Sequence, residues 1–231
     1  IPPPKRIYGH GWILSGEEKM SKSKGNILDP IEIINVYGLD SLRYYLLKEV
    51  SFGNDGNISK DKLISCINSD LANNFGNLCQ RVLTFTEKNL ELKIPTIDLL
   101  DKDDLTILNN FSENYENLID YINKQNINSY MNFIVDQMFI ANKYFNDQEP
   151  WKKKDDLKRL KSIIYTSLEL IRKISILLYP VIPQSSLKAL SIFKIIEEEI
   201  KIETIKNNNF LKPGAGINKI DILFNKVISD D

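Results

Sequence analysis

The sequence predicts a mainly α-helical protein: an antiparallel helix bundle preceded by a short mixed segment. Three observations predict it. From about residue 59 onward, apolar residues recur at intervals of three and four, the period of a helix that buries one face. Prolines and capping residues interrupt that pattern, and long helices with short connections pack antiparallel. Residues 1–55 instead mix strand and helix signals.

In chain order, Gly11-Trp12-Ile13-Leu14 reads as a strand and Ser15 to Glu18 as a turn. A Lys/Ser-rich loop follows, then helical patterns at Ile31–Ile34 and Tyr37–Leu47. Ser59 precedes a helix running to about Lys88, with Leu63, Ile67, Leu71, Phe75, Leu78, Val82 and Phe85 on its apolar face. After Pro95, Asp103 or Asp104 is expected to cap a second helix reaching Asn123. Its inward set is Leu105, Leu108, Phe111, Tyr115, Leu118 and Ile122. A third is expected over Ser129–Phe145 and ends before Pro150-Trp151. A fourth is expected over Asp155–Leu178, with Leu157, Leu160, Ile164, Leu168, Ile171, Ile174 and Leu178 inward. Pro180 and Pro183 end it, and a short fifth helix runs to about Phe193. The tail from 194 carries loop chemistry at Asn207–Asn209 and Pro213–Gly216, then an apolar Ile222-Leu223-Phe224 that must dock.

Composition excludes several classes. At 231 residues and 42% hydrophobic, the chain is an ordinary globular protein. Its longest uncharged apolar run, Ile174–Ile182, is far too short for a bilayer span, and a cytoplasmic location is expected. Cys66 and Cys79 share one helical pattern and read as reduced interior residues. With a single histidine, His10, they are too few for a zinc site, so no metal site is expected. His10 is expected to make a structural hydrogen bond. The net charge of -1 announces no global attraction to nucleic acid. The best local basic patch is Lys152-Lys153-Lys154 with Lys158, Arg159 and Lys161, which on pattern alone is a solvated helix face.

The loop carries chemistry. Lys19-Met20-Ser21-Lys22-Ser23-Lys24-Gly25 sets ammonium groups and hydroxyl donors beside a glycine that allows close backbone approach. Such a loop suits phosphate oxygens that gain charge, and lysines on flexible stems can close on a ligand and reopen. On the first long helix Asn73, Asn77 and Arg81 are spaced by four and fall on one stripe. Pattern alone leaves two readings: an exposed polar face, or a surface for base edges, with Trp151 as a stacking platform or as a hydrophobic cap.

Lys19–Ser23 is the KMSKS signature of class I aminoacyl-tRNA synthetases. Phe52–Ser59, Asp70–Arg81, Pro150-Trp151 and Ile222-Leu223-Phe224 together resemble the bacterial type of methionyl-tRNA synthetase over the whole chain. The resemblance implies a fold in parts. Residues 1–55 would be the end of a class I catalytic domain with the KMSKS loop and a linker helix. Residues 56–195 would be the anticodon-binding helix bundle, and 196–231 a tail that packs back. It implies the ATP-binding residues Lys19, Met20, Ser21, Lys22 and Ser23, with Lys22 stabilising the pentavalent phosphate and Lys19 assisting from the pyrophosphate side. It implies Asn77, Arg81 and Trp151 as readers of a CAU anticodon. The implied reaction joins methionine, activated by ATP with Mg2+, to its tRNA. The family's HIGH signature needs two histidines and is missing, so the chain is expected to be a C-terminal half, inactive in amino-acid activation alone. A non-catalytic tRNA-binding adaptor is the alternative, against which the intact lysine loop argues.

Overall fold

The computed structural model describes residues 2–5, 7–15, 18–19 and 28–228, with 18 and 19 described by backbone only. A small sheet in the order β2-β1-β3 joins the mixed segment to the residues just after it, formed by β1 (Ile13–Ser15), β2 (Glu18–Lys19) and β3 (Gly56–Ile58). The strand begins two residues later than the sequence suggests. β1 pairs antiparallel with β2 and parallel with β3, in the register Ile13↔Gly56. The approach to β1 presses on the turn before β3. A Cβ on Gly11 would lie 2.1 to 2.4 Å from backbone atoms of Asn54 and Asp55, so only glycine fits.

Helix α1 (Pro30–Tyr37) starts at Asp29, whose carboxylate accepts from Ile31 N–H at 2.8 Å. Gly38, at φ 85, separates it from α2 (Leu39–Glu49). Helix α3 (Lys60–Cys66) is capped by Ser59, which accepts from Lys62 N–H. It continues without a break through a π-helical stretch, Ile67–Gly76, into α4 (Asn77–Leu90). The expected single long helix is therefore present, but its middle is wound i→i+5 and shifts the side-chain phase.

The expected second helix is two: α5 (Lys102–Glu113) and α6 (Tyr115–Asn123). Asn114 at the break turns its amide onto the Asn110 carbonyl (2.9 Å) and side chain (2.8 Å), a local bond that competes with the helix ladder. The helix starts at Asp101, and Asp104 reaches back to its N–H at 3.0 Å. Leu108, Phe111 and Leu118 are buried as expected, whereas Leu105 and Ile122 are exposed. Helix α7 (Ile127–Asp147) and helix α8 (Leu157–Leu178) follow, joined through a 3-10 turn at Pro150–Lys152. Leu157, expected inward, is 59% exposed because it opens α8 at the bundle's rim. Helix α9 (Pro183–Leu190) completes the set, with a 3-10 turn through Phe193.

Helix α8 is the axis. It is buried on every side from Ser162 to Leu178, polar residues included. Arg172 donates to Glu169 at 2.7 Å and to the carbonyls of Thr204 and Asn207 at 3.2 and 3.0 Å. Lys173 donates to the Ile205 carbonyl at 2.5 Å and to the Asn208 side chain at 2.6 Å. The other Glu169 oxygen accepts from Leu211 N–H at 2.8 Å. The tail is thus pinned to the axis by charged groups that would otherwise be costly to bury. Farther along, Phe224 is buried beside Gly76, and Asn68 exchanges bonds with the backbone of Val227 at 2.8 Å. The apolar end therefore docks on the π-helical stretch.

Helix α2 ties the mixed segment to the bundle. Asp40 accepts from Ser185 N–H at 2.6 Å, at the start of α9. Arg43 donates to the carbonyls of Val181 and Pro180 at 2.7 and 2.9 Å, beyond the end of α8. Each charge has the sign that the neighbouring helix end favours. Lys48 and the Tyr44 hydroxyl both reach Asp70 in the π-helical stretch, at 2.8 and 3.1 Å. Tyr44 and Tyr45 are buried at this joint. Both cysteines are buried and free.

Burial and the neighbouring Arg172 guanidinium lower the Lys173 ammonium to about 7, against the pull of Glu169. An unfolded lysine titrates near about 10.4, so above about pH 7 the unfolded chain holds the extra proton. Stability then rises with pH. The window is about pH 7–8, because above about 8.5 the unfolded thiols ionise. In the fold burial holds Cys66 up to about 12 and raises Cys79, so those groups act in the opposite direction. Denaturant titrations should show unfolding free energy rising across pH 7–8 by up to about 1.4 kcal/mol per unit, and Lys173→Met should flatten that slope.

Candidate nucleic-acid interface

The candidate interface lies where α4 passes the end of α7 and the turn that follows it. Arg81 leaves α4 one turn after Asn77, and its Nη2 donates to the Asn146 side-chain oxygen at 2.6 Å. Its guanidinium carbon sits 5.0 Å from the centre of the Phe145 ring, within reach of the ring's negative face. Trp151 meets the same ring edge to face, with centroids 6.1 Å apart and planes at 67°. Phe85 meets it from α4 at 6.4 Å. One buried aromatic thus supports both a cation and an indole.

An open groove of about 350 Å³ runs beside them, lined by Gln80, Arg81, Thr84, Phe85, Lys88, Phe145 and Trp151. Trp151 is 42% exposed, so the edge-on contact leaves ring surface open to a stacking partner. Burial lowers the Arg81 pKa, a desolvation that strengthens any bond the fork makes to a base. Among the described residues Asn146 is the one hydrogen-bond partner of that fork, and its remaining donors are unclaimed by protein.

The sequence-predicted residues are only partly brought together. Arg81 and Trp151 share Phe145. Asn77 is exposed on the first turn of α4, on the Arg81 side of the helix but outside the groove's lining. Asn73 stands exposed, and its neighbour Asn74 makes the contact with α7, accepting from Asn142 at 3.0 Å through its carbonyl. The basic patch is revised too. Arg159 turns inward to Asp104, while Lys152 pairs with Glu149 at 2.8 Å and Lys158 with Asp98 at 3.3 Å. Lys153 and Lys154 remain exposed. Phe145 is the last residue of the third helix expected from the sequence, and Asn146 lies just beyond it. The adjacent Phe145-Asn146 pair ahead of Pro150-Trp151 was the available signal.

Lys19 is described through its backbone, which pairs with Leu14 in the β1–β2 hairpin. The expected phosphate-binding residues Met20, Ser21, Lys22 and Ser23 lie outside the described residues. His10 is exposed, its Nδ1 2.8 Å from the Gly11 carbonyl. Among the described residues, no group of three or more His, Cys, Asp or Glu side chains could hold a metal. No described helix is long and apolar enough to cross a membrane.

Residues 100–231 match the family model for the anticodon binding domain of methionyl tRNA ligase. The chain belongs to the methionyl-tRNA ligase family. Residues 1–83 match the model for class I tRNA synthetases of the methionine group. A methionine–tRNA ligase of Rickettsia felis is 38% identical over the whole chain, which covers 46% of that protein. One from Thermotoga maritima is 34% identical, with the chain covering 37% of it. Among solved structures, Mycobacterium tuberculosis methionyl-tRNA synthetase in complex with methionyl-adenylate superposes with a TM-score of 0.90. It is 33% identical and shares 97% of this chain and 45% of its own. The chain spans about half the length or less of the curated relatives it matches.

The shared ring makes a structural prediction. Phe145→Ala should cost about 3–5 kcal/mol of stability, as truncation of a buried aromatic does. In a Trp12→Phe background it should also shift Trp151 emission to the red as the indole loses its support, read by chemical denaturation and fluorescence on one sample.

Proposed function

We propose that this chain supplies the phosphate-binding loop and the anticodon-reading bundle of a cytoplasmic enzyme that joins methionine to its tRNA. The observation that carries this reading is the meeting of Arg81 and Trp151, remote in sequence, on the single ring of Phe145 beside an open groove. In this reading residues 1–55 close the catalytic domain, 56–195 form the bundle and 196–231 pack back.

Methionine and ATP, the latter with Mg2+, would form methionyl-adenylate and pyrophosphate, and the methionyl group would pass to the terminal adenosine of tRNA. Within the loop Lys19 to Ser23, Lys22 offsets the charge of the pentavalent phosphate and Lys19 acts from the pyrophosphate side. The contribution is electrostatic: a mobile ammonium arrives where charge develops and leaves with product. In the bundle, Trp151 stacks an unpaired base of the CAU anticodon. The Asn77 amide and the Arg81 fork meet base edges, which suits the way proteins read single-stranded loops.

Two outcomes test the halves separately. In the complete enzyme, Lys22→Ala should cut the rate of methionine-dependent pyrophosphate exchange by roughly 3–4 kcal/mol while methionine affinity stays nearly unchanged. A change below about threefold, roughly 0.6 kcal/mol, places Lys22 outside the site. In the chain itself, Trp151→Ala should weaken binding of a CAU anticodon stem-loop by about tenfold to a hundredfold, the size of one lost stacking contact. It should also shrink the preference over stem-loops with an altered anticodon. Lys153→Ala should instead weaken all stem-loops alike and flatten the salt dependence. If Trp151→Ala keeps the CAU preference and only melts earlier, the groove is not a reader.

A further inference from the structure

The segment that carries Trp151 is short, and both of its ends run to one carboxylate. Asp104, on α5, has no exposed side-chain surface. It accepts from the Tyr144 hydroxyl at 2.5 Å and from Arg159 Nη1 and Nη2 at 2.6 and 3.0 Å. Its fourth bond comes from Asp101 N–H at 3.0 Å. Arg159 Nη2 also donates to the Gln148 side chain at 2.7 Å, and Asp101 pairs with Nη1 at 3.2 Å.

These partners bracket Trp151 closely. Tyr144 is the neighbour of Phe145, the ring on which both Trp151 and Arg81 rest. Gln148 follows the last residue of α7 and stands two residues before Pro150. Arg159 lies in the first turn of α8. Between them the backbone is tightly wound. Glu149 sits at φ 44, left-handed for a residue with a side chain, and Lys152, Lys153 and Asp156 each bond back three residues.

The start of α8 is already satisfied without Asp104, because Asp156 accepts from Arg159 N–H at 3.1 Å. A buried ion pair adds little net stability over apolar packing, and what it does impose is geometry. The guanidinium fork meets a carboxylate in one plane and one direction. Burial and Asp104 together raise the Tyr144 pKa, so its hydroxyl stays a donor to that carboxylate at any ordinary pH.

We propose that Asp104 and Arg159 form a positioning clamp that sets the orientation of Trp151 on Phe145, and thereby the anticodon preference, without touching RNA. The proposal rests on the anticodon reading above. Asp104 is a positioning residue: it has no surface with which to contact a ligand. Loosening the clamp leaves Trp151 present and exposed but free to turn against Phe145, and a platform that turns loses selectivity before it loses affinity.

The test uses the chain with Trp12→Phe, which leaves Trp151 as the single indole reporter. Asp104→Asn keeps the shape and removes the charge; Arg159→Lys keeps the charge and removes the fork. Each is measured for binding to the CAU stem-loop and to one with an altered anticodon, for acrylamide quenching of Trp151, and for melting temperature. The expected result is a loss of CAU preference of about tenfold, as for residues coupled in one network, with Trp151 more open to quencher. The clamp is overturned if the variants melt earlier yet keep the preference within about twofold and the original quenching. Should Asp104→Asn fail to fold, Arg159→Lys decides alone. Trp151→Ala in the same assay separates the two ideas. If it loses the preference while both clamp variants keep it, only the clamp falls. If it too keeps the preference, the anticodon reading falls and the clamp with it.

Discussion

Everything else in the molecule is arranged around the burial of α8. A helix surrounded on all sides has no polar face to turn toward water, yet this one carries Glu169, Arg172 and Lys173 with no exposed surface. Such groups are tolerable in an interior only when each finds partners. Here Arg172 and Glu169 pair with each other, and the tail between Thr204 and Leu211, otherwise without long regular structure, supplies backbone carbonyls, one N–H and the Asn208 side chain. The charged axis and the irregular tail are therefore one unit: the tail satisfies the helix, and the helix gives the tail a course.

The same logic joins the mixed segment to the bundle. Helix α2 places Asp40 against the beginning of α9 and Arg43 against the carbonyls that follow α8. Both helix ends leave backbone groups unsatisfied, and a single short helix supplies a partner of the proper sign to each. Lys48 and Tyr44 add a second point of attachment at Asp70, inside the π-helical stretch. A stretch wound i→i+5 is uncommon and marks a place where neighbours overrule the local ladder. Here it is the place where α2, the Phe224 end and α7 all press on one helix.

The candidate interface belongs to no single element. Phe145 comes from α7, Arg81 from α4 and Trp151 from the turn that leads to α8, while α5 contributes a buried carboxylate bonded to Tyr144 and Arg159. The exposed Trp151 ring is backed by packed residues from three elements. The chain's kinship with methionyl-tRNA ligases is consistent with such a surface, and the physical features of the groove stand independently of that kinship.

Much of the fold was legible in the sequence because a helix advertises itself locally. Apolar spacing located the long helices, and Ser59, Pro150 and Pro183 marked boundaries through chemistry confined to a few residues. The lysine loop and the Asn/Arg/Trp set could be picked out as residue types in a pattern, but for the latter the pattern alone left two readings open. Other features depended on neighbours distant in sequence. Asn114 broke a helix that periodicity carried through, Asn74 met Asn142 of α7, and Leu157 faced outward at the bundle's rim. Arg159, read as part of a basic surface, turned inward because a carboxylate waited on another helix. The sequence by itself determined the helices, their order and the chemistry on offer, since those follow from local propensity and period. The tertiary structure alone decided which charges are buried, which ring Arg81 and Trp151 share, and where the tail runs, because burial and partnership exist only once remote segments meet.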